Sequence, residues 1–261
     1  MLRISQVHKN LVGGVALLLA LIWPGLAGAA ASDFQVIPNE VEIGAFFQGT
    51  QVTVQGEIPP GSQAVLEVMG QPLEEKLMRK GRRGILWMNV GEIQIKGAPC
   101  LYLVRSTNPE LLSPSQNRQA PWGYQALEQQ VTFSGQVRQG EERALFHQFL
   151  QLKESEGLYR NSLRPLKVVS SAPDYLTVQA SFNIPARVTP GSYRLRLSVI
   201  QNGQMVSQEF ADLKVLQIGF PALLSSLAYQ HGALYGILAV VIAIVTGFLM
   251  GFLFKGKGGA H

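Results

Sequence analysis

The chain has 261 residues, 47% apolar and only 15% charged, a length that fits one or two domains. Four of its 22 basic residues, Arg3, Lys9, Lys255 and Lys257, sit at the two ends and leave 18 basic against 17 acidic residues between them, which excludes a nucleic-acid footprint. A single cysteine, Cys100, excludes an intramolecular disulfide, so the soluble part must be held by its own core.

Residues 1–31 have the order of an export signal. Arg3 and Lys9 precede the apolar run Leu11–Trp23, and Pro24-Gly25 leads into small residues with A-x-A at Ala27–Ala29 and Ala29–Ala31. The run is shorter than the roughly 20 residues a spanning helix needs, so removal between Ala29 and Ser32 is expected. No cysteine sits at the cleavage point, which argues against lipid attachment.

Residues 32–107 read as a first β-sandwich module. Phe34–Ile37, Val41–Ile43, Gln51–Glu57, Ala64–Met69, Ile85–Val90, Glu92–Lys96 and Leu101–Arg105 are short candidate strands. Turn signals such as Pro59-Pro60-Gly61 and Lys96-Gly97-Ala98-Pro99 separate them. Residues 108–128 are polar and interrupted by Pro and Gly, which predicts a linker.

A second module is expected over 129–218. Tyr193, Leu195, Leu197 and Val199 alternate with Arg194, Arg196 and Ser198, and Asn202-Gly203 supplies a type I′ hairpin turn. Leu176–Ile184 alternates in the same way. One helix is predicted inside this module, over 141–156. Leu145, Phe149 and Leu152 form its apolar stripe, Glu141 and Glu142 favour its start, and Gly157 ends it. The predicted fold class is therefore mainly β: two tandem Ig-like sandwich modules with one inserted helix, followed by a single transmembrane helix.

No charged residue occurs between Lys214 and Lys255. Residues 219–231 carry Phe220, Leu223, Leu224 and Leu227 at helical spacing, as an interfacial segment would. Residues 232–254 are long enough to span a bilayer core. Residues 255–261 form a basic tail, and by the positive-inside rule the tail stays cytoplasmic and the soluble region lies outside. The predicted location is the bacterial inner membrane, single-pass, with a periplasmic soluble region.

Within the span, Gly232, Gly236, Ala239, Ala243, Gly247 and Gly251 fall on one side of the helix, and two of the pairs are GxxxG. Small residues let a second helix approach closely, so this face predicts docking to another membrane protein or to a second copy.

Lys76, Arg79, Lys80, Arg82 and Arg83 form the densest charge cluster of the soluble region. The plainer reading is a solvated hairpin loop, partly neutralised by Glu74 and Glu75. The functional reading is contact with anionic lipid, an anionic ligand or an acidic partner. Trp87, just beyond, is expected in the core. His147 is the sole histidine of the β region. With no G-x-S-x-G elbow, P-loop, dinucleotide fingerprint or Cys/His metal spacing, the residues offer no catalytic, cofactor or metal set. Cys100 reads as a small buried residue, with a thiol enzyme as the alternative.

Several segments in order resemble a family of predicted transmembrane proteins first defined in alphaproteobacteria. They are Arg79-Lys80-Gly81-Arg82 leading to Gly84-Ile85-Leu86-Trp87-Met88-Asn89, then Gly97-Ala98-Pro99-Cys100-Leu101-Tyr102, Glu156-Gly157-Leu158-Tyr159, Pro190-Gly191-Ser192-Tyr193 and Leu234-Tyr235-Gly236. The resemblance covers essentially the whole chain after the signal. It carries no established activity and implies association with a multipass exporter of the sulfite/organosulfonate type. Together these readings suggest a non-enzymatic accessory subunit of a membrane transport complex, with a homo-oligomeric envelope structural protein as the rival.

Overall fold

The computed structural model describes residues 34–113, 120–161 and 165–254. The predicted signal at 1–31 and the tail at 255–261 lie outside the described residues. Thirteen strands and four α-helices follow one another among those described: β1 (Gln35–Ile37), β2 (Glu40–Ile43), β3 (Thr50–Ile58), β4 (Gln63–Met69), β5 (Pro72–Arg83), β6 (Leu86–Pro99), β7 (Tyr102–Ser106), α1 (Gly123–Gln130), β8 (Thr132–Gly135), α2 (Glu142–Ser155), β9 (Tyr159–Asn161), β10 (Lys167–Ser171), β11 (Leu176–Ile184), β12 (Gly191–Gln201), β13 (Gln204–Gln217), α3 (Gly219–Gln230) and α4 (Gly232–Phe254). The protein is mainly β, with one C-terminal apolar helix long enough to cross a membrane.

The strands assemble into a four-stranded sheet, β1-β3-β11-β10, a six-stranded sheet, β2-β13-β12-β4-β7-β9, and a three-stranded sheet, β5-β6-β8. Each of the two larger sheets takes strands from both halves of the chain. β3 pairs with β11 along its whole length, from Thr50↔Ile184 to Ile58↔Leu176, and β4 pairs with β12. The expected partition into two successive modules is therefore not the one the sheets follow. Alternation marks which residues are strands, but it does not say which strand lies beside which.

The first core fills the space between the two larger sheets. Val52, Val54, Val178, Ala180 and Phe182 from one meet Leu66, Val68, Leu195, Leu197 and Leu213 from the other. A second core lies on the outer face of the six-stranded sheet. There Val65, Tyr102, Val104 and Ile200 pack under Ile93 and Ile95 of β6 and under Trp122, Leu127, Phe146 and Phe149. β4 is thus covered on both faces, so Ala64–Val68 are all buried and read as a nearly continuous apolar run.

The expected linker over 108–128 is part of this second layer. It holds a 3-10 turn at Pro109–Leu112 and all but the end of α1, and it buries Ala120, Trp122, Ala126 and Leu127. The Trp122 indole donates to the Leu111 carbonyl at 3.0 Å. Polar composition hid a segment that directs Ala120, Trp122, Ala126 and Leu127 inward.

The predicted helix is α2, rotated from its expected face. Leu145, Phe146, Phe149, Leu150 and Lys153 are buried, whereas Leu152 is exposed. Its C-terminus has the six-to-one and five-to-two bonds of a Schellman motif, Leu158 to the Lys153 carbonyl and Gly157 to that of Glu154, with Gly157 at φ 74°. The Asn202-Gly203 turn of the β12–β13 hairpin has both residues at positive φ, 51° and 78°, as a type I′ turn requires.

Residues 76–83, expected as a loop, are strand. β5 and β6 form a long hairpin paired from Pro72↔Pro99 to Arg83↔Leu86. Gly70 donates to the Leu101 carbonyl and Cys100 to that of Gln71, so the β4–β7 ladder runs without a break into β5–β6. At the bend, Gly97 has φ 81°, and a Cβ there would sit 2.5 Å from the Gln130 carbonyl oxygen.

Candidate functional site

The small-residue face of α4 is where the sequence places it. The helix runs unbroken over 23 residues, about 35 Å at 1.5 Å per residue. At 100° per residue Gly232, Gly236, Ala239, Ala243, Gly247 and Gly251 keep within about 120° of one another. Among the described residues nothing outside the helix comes within 4 Å of where a Cβ would stand on Gly232, Gly236, Gly247 or Gly251. Gly232, Gly236, Ile237 and Val240 line a shallow apolar groove at the N-terminal end. A second helix can approach there at backbone distance, with van der Waals packing as its main attraction. α3 joins α4 through His231, and Phe220, Leu223 and Leu224 remain exposed on α3.

The basic cluster is divided by the structure. Lys76 pairs with Glu92 at 3.4 Å. Arg79 forms a two-pronged ion pair with Glu141, at the start of α2, and also donates to the Gln136 carbonyl. The Arg79 guanidinium and the Arg138 backbone N–H hold the Glu141 carboxyl below the usual carboxylate range. Glu141 is therefore a brace rather than a solvated helix-start charge. Glu75 likewise pairs at 2.5 Å with the buried Lys153, and Glu74 pairs with Lys96. Lys80, Arg82 and Arg83 are exposed and have no ion pair among the described residues. They share the hairpin end with Ile85, Leu86, Trp87 and Met88, all exposed. Trp87, expected in the core, is 74% exposed and lies directly across from Arg82.

A constellation that the sequence reading missed surrounds Glu67, which is fully buried in β4. Arg196, directly opposite on β12, grips one carboxylate oxygen through Nε at 2.8 Å and also through Nη2. The Tyr102 hydroxyl and the Gly123 N–H bond to the other oxygen. Arg196 also donates to the Pro121 carbonyl and Tyr102 to that of Gly123. Burial, reinforced by the Glu67 charge, pushes the Tyr102 phenol well above its ordinary range. With its partners matched, this network can fix the 120–123 segment against the sheet; it leaves no reactive group exposed. The one sequence signal was a lone carboxylate inside the run Ala64–Met69.

Cys100 is buried beneath Gly70, with its Sγ 3.5 Å from the Tyr193 hydroxyl. His147 is exposed on α2, its ring 6.5 Å from that of Phe146. A polar cleft of about 690 Å³ opens between the larger sheets, where Arg105, Arg160 and Lys167 gather with Gln51, Gln179 and Asn183. Among the described residues no three His, Cys, Asp or Glu side chains gather as a metal site.

No curated protein matches the chain. Among solved structures it is similar to murine CRIg, at 9% identity over 72% of this chain and 98% of that one, with a TM-score of 0.25, too low to assign a fold. The family model described as "Putative transmembrane protein (Alph_Pro_TM)" matches residues 33–256, which take in the strands of all three sheets and the span, and the chain belongs to that family.

Proposed function

We propose that this protein is a non-enzymatic accessory subunit of a membrane transport complex, anchored by one pass with its β region on the periplasmic side of the inner membrane. The observation that carries the reading is the α4 face of Gly232, Gly236, Ala239, Ala243, Gly247 and Gly251, which nothing among the described residues covers. In lipid such a face gains by packing against another helix. The sequence resemblance favours a multipass exporter of the sulfite/organosulfonate type as the partner. The absence of a cofactor fingerprint or nucleophile motif in the sequence supports a binding role over catalysis.

Crosslinking in native membranes, followed by mass spectrometry of purified complexes, tests the reading. Crosslinks from α4 to a multipass transporter are expected. Recovery of self-pairs alone would replace the accessory role with a homo-oligomeric one. Gly236→Leu with Gly247→Leu should abolish the complex, and a complex intact after both changes refutes this use of the face.

A further inference from the structure

We propose that the end of the β5–β6 hairpin is a second membrane contact. It would seat Ile85, Leu86, Trp87 and Met88 among the headgroups of an anionic bilayer, with Lys80, Arg82 and Arg83 on lipid phosphates.

Composition is the first ground. Between Glu75 and Glu92 the chain has five basic residues and no acidic one. The ion pairs of Lys76 and Arg79 remove two of those charges at the base of the projection. The three left over are concentrated at the end, where Ile85 is 87% exposed, Trp87 74% and Leu86 63%. Cross-strand pairing sets Arg82 beside Trp87 and Arg83 beside Leu86, so both faces of the ribbon carry a cation next to an apolar side chain. An aromatic and aliphatic tip ringed by cations matches an interface whose outer layer is anionic and whose inner layer is hydrocarbon. Four consecutive exposed apolar side chains mark a contact surface, and the flanking cations favour an anionic bilayer as what it meets.

Topology is the second ground. β4 and β13 are both antiparallel to β12 and therefore run the same way. β13 exits into α3 and the span, and β4 exits into the hairpin. The hairpin thus leaves the six-stranded sheet at the same end as the membrane helix. Its 12-residue strand is about 40 Å long at roughly 3.3 Å per residue, and its base is held in the second core. β8 supports β6 only over Ile93–Lys96, and the Arg79–Glu141 pair braces β5 just beyond, so the outer part projects as a two-stranded ribbon.

The test uses the full chain in nanodiscs, with Cys100→Ala and a single environment-sensitive fluorophore on Ile85→Cys. A matched label on Gln63→Cys, at the opposite end of β4, is the control. In discs containing phosphatidylglycerol, the Ile85 label should shift to the blue and be quenched by lipid-borne nitroxides, while the Gln63 label should show neither. Lys80→Glu, Arg82→Glu and Arg83→Glu should each lower the ratio of seated to free tip roughly fivefold or more. A water-like emission at position 85 in these discs overturns the proposal. A blue shift without lipid quenching also overturns it, since the tip is then buried against protein. Equal quenching in purely zwitterionic discs overturns the anionic preference.

Discussion

Glu67 shows what one buried charge does when its geometry is complete. Desolvating a carboxylate is costly, and here two contacts from Arg196, the Tyr102 hydroxyl and a backbone N–H offset the loss. Glu67→Ala would leave the Arg196 guanidinium and Tyr102 hydroxyl without that acceptor. We expect it to destabilise the β region by about 3–5 kcal/mol in denaturant unfolding. Replacing both Glu67 and Arg196 by Met should recover part of the loss, because the guanidinium is no longer left unpaired, while the Gly123 N–H still lacks its acceptor. Cys100→Ser should leave the cellular role intact if the thiol only fills the space beneath Gly70. Loss of function in a folded Cys100→Ser protein would favour a thiol enzyme.

Elements were legible where one face is dry and the other wet. β11, β12 and the Asn202-Gly203 turn follow their alternation, and α4 follows from an uninterrupted apolar run with regularly spaced small residues. β5 was not legible because the run Lys76–Arg83 is mostly solvated, so charge masked its period. α2 was found, but its face was misplaced because Lys153 is buried against Glu75 where an apolar residue would be expected. The Glu67 network was invisible, since its members lie in β4, β7, β12 and the 120–123 segment and meet only after folding. The Arg79–Glu141 brace yields a prediction at this scale. Glu141 is held below its ordinary value near 4.5, so the brace is fully present above that pH and is lost as pH falls through the lowered folded value. Amide exchange in residues 80–89 should therefore accelerate below pH 4.5 more than in β12, and Arg79→Met should remove that difference.

At the scale of the whole molecule, residues 32–107 cannot close a core alone. β3 requires β11 at its side, and β4 requires β12. A fragment of 32–107 is expected to show the narrow amide dispersion of an unfolded chain; a dispersed spectrum would mean that the first half has a fold of its own. The same interleaving also has a history in time. β3 pairs with a strand made about 120 residues later, on the order of ten seconds at ordinary synthesis rates. Until then its apolar face and the edge opposite β1 stand open, as a template for any passing strand. β13, which completes the six-stranded sheet beside β2 and β12, ends only two residues before α3. The sandwich and the membrane segment therefore reach completion almost together. A chain interrupted before β12 would hold β3 against β11 but would leave β4 without its partner and the six-stranded sheet without its centre.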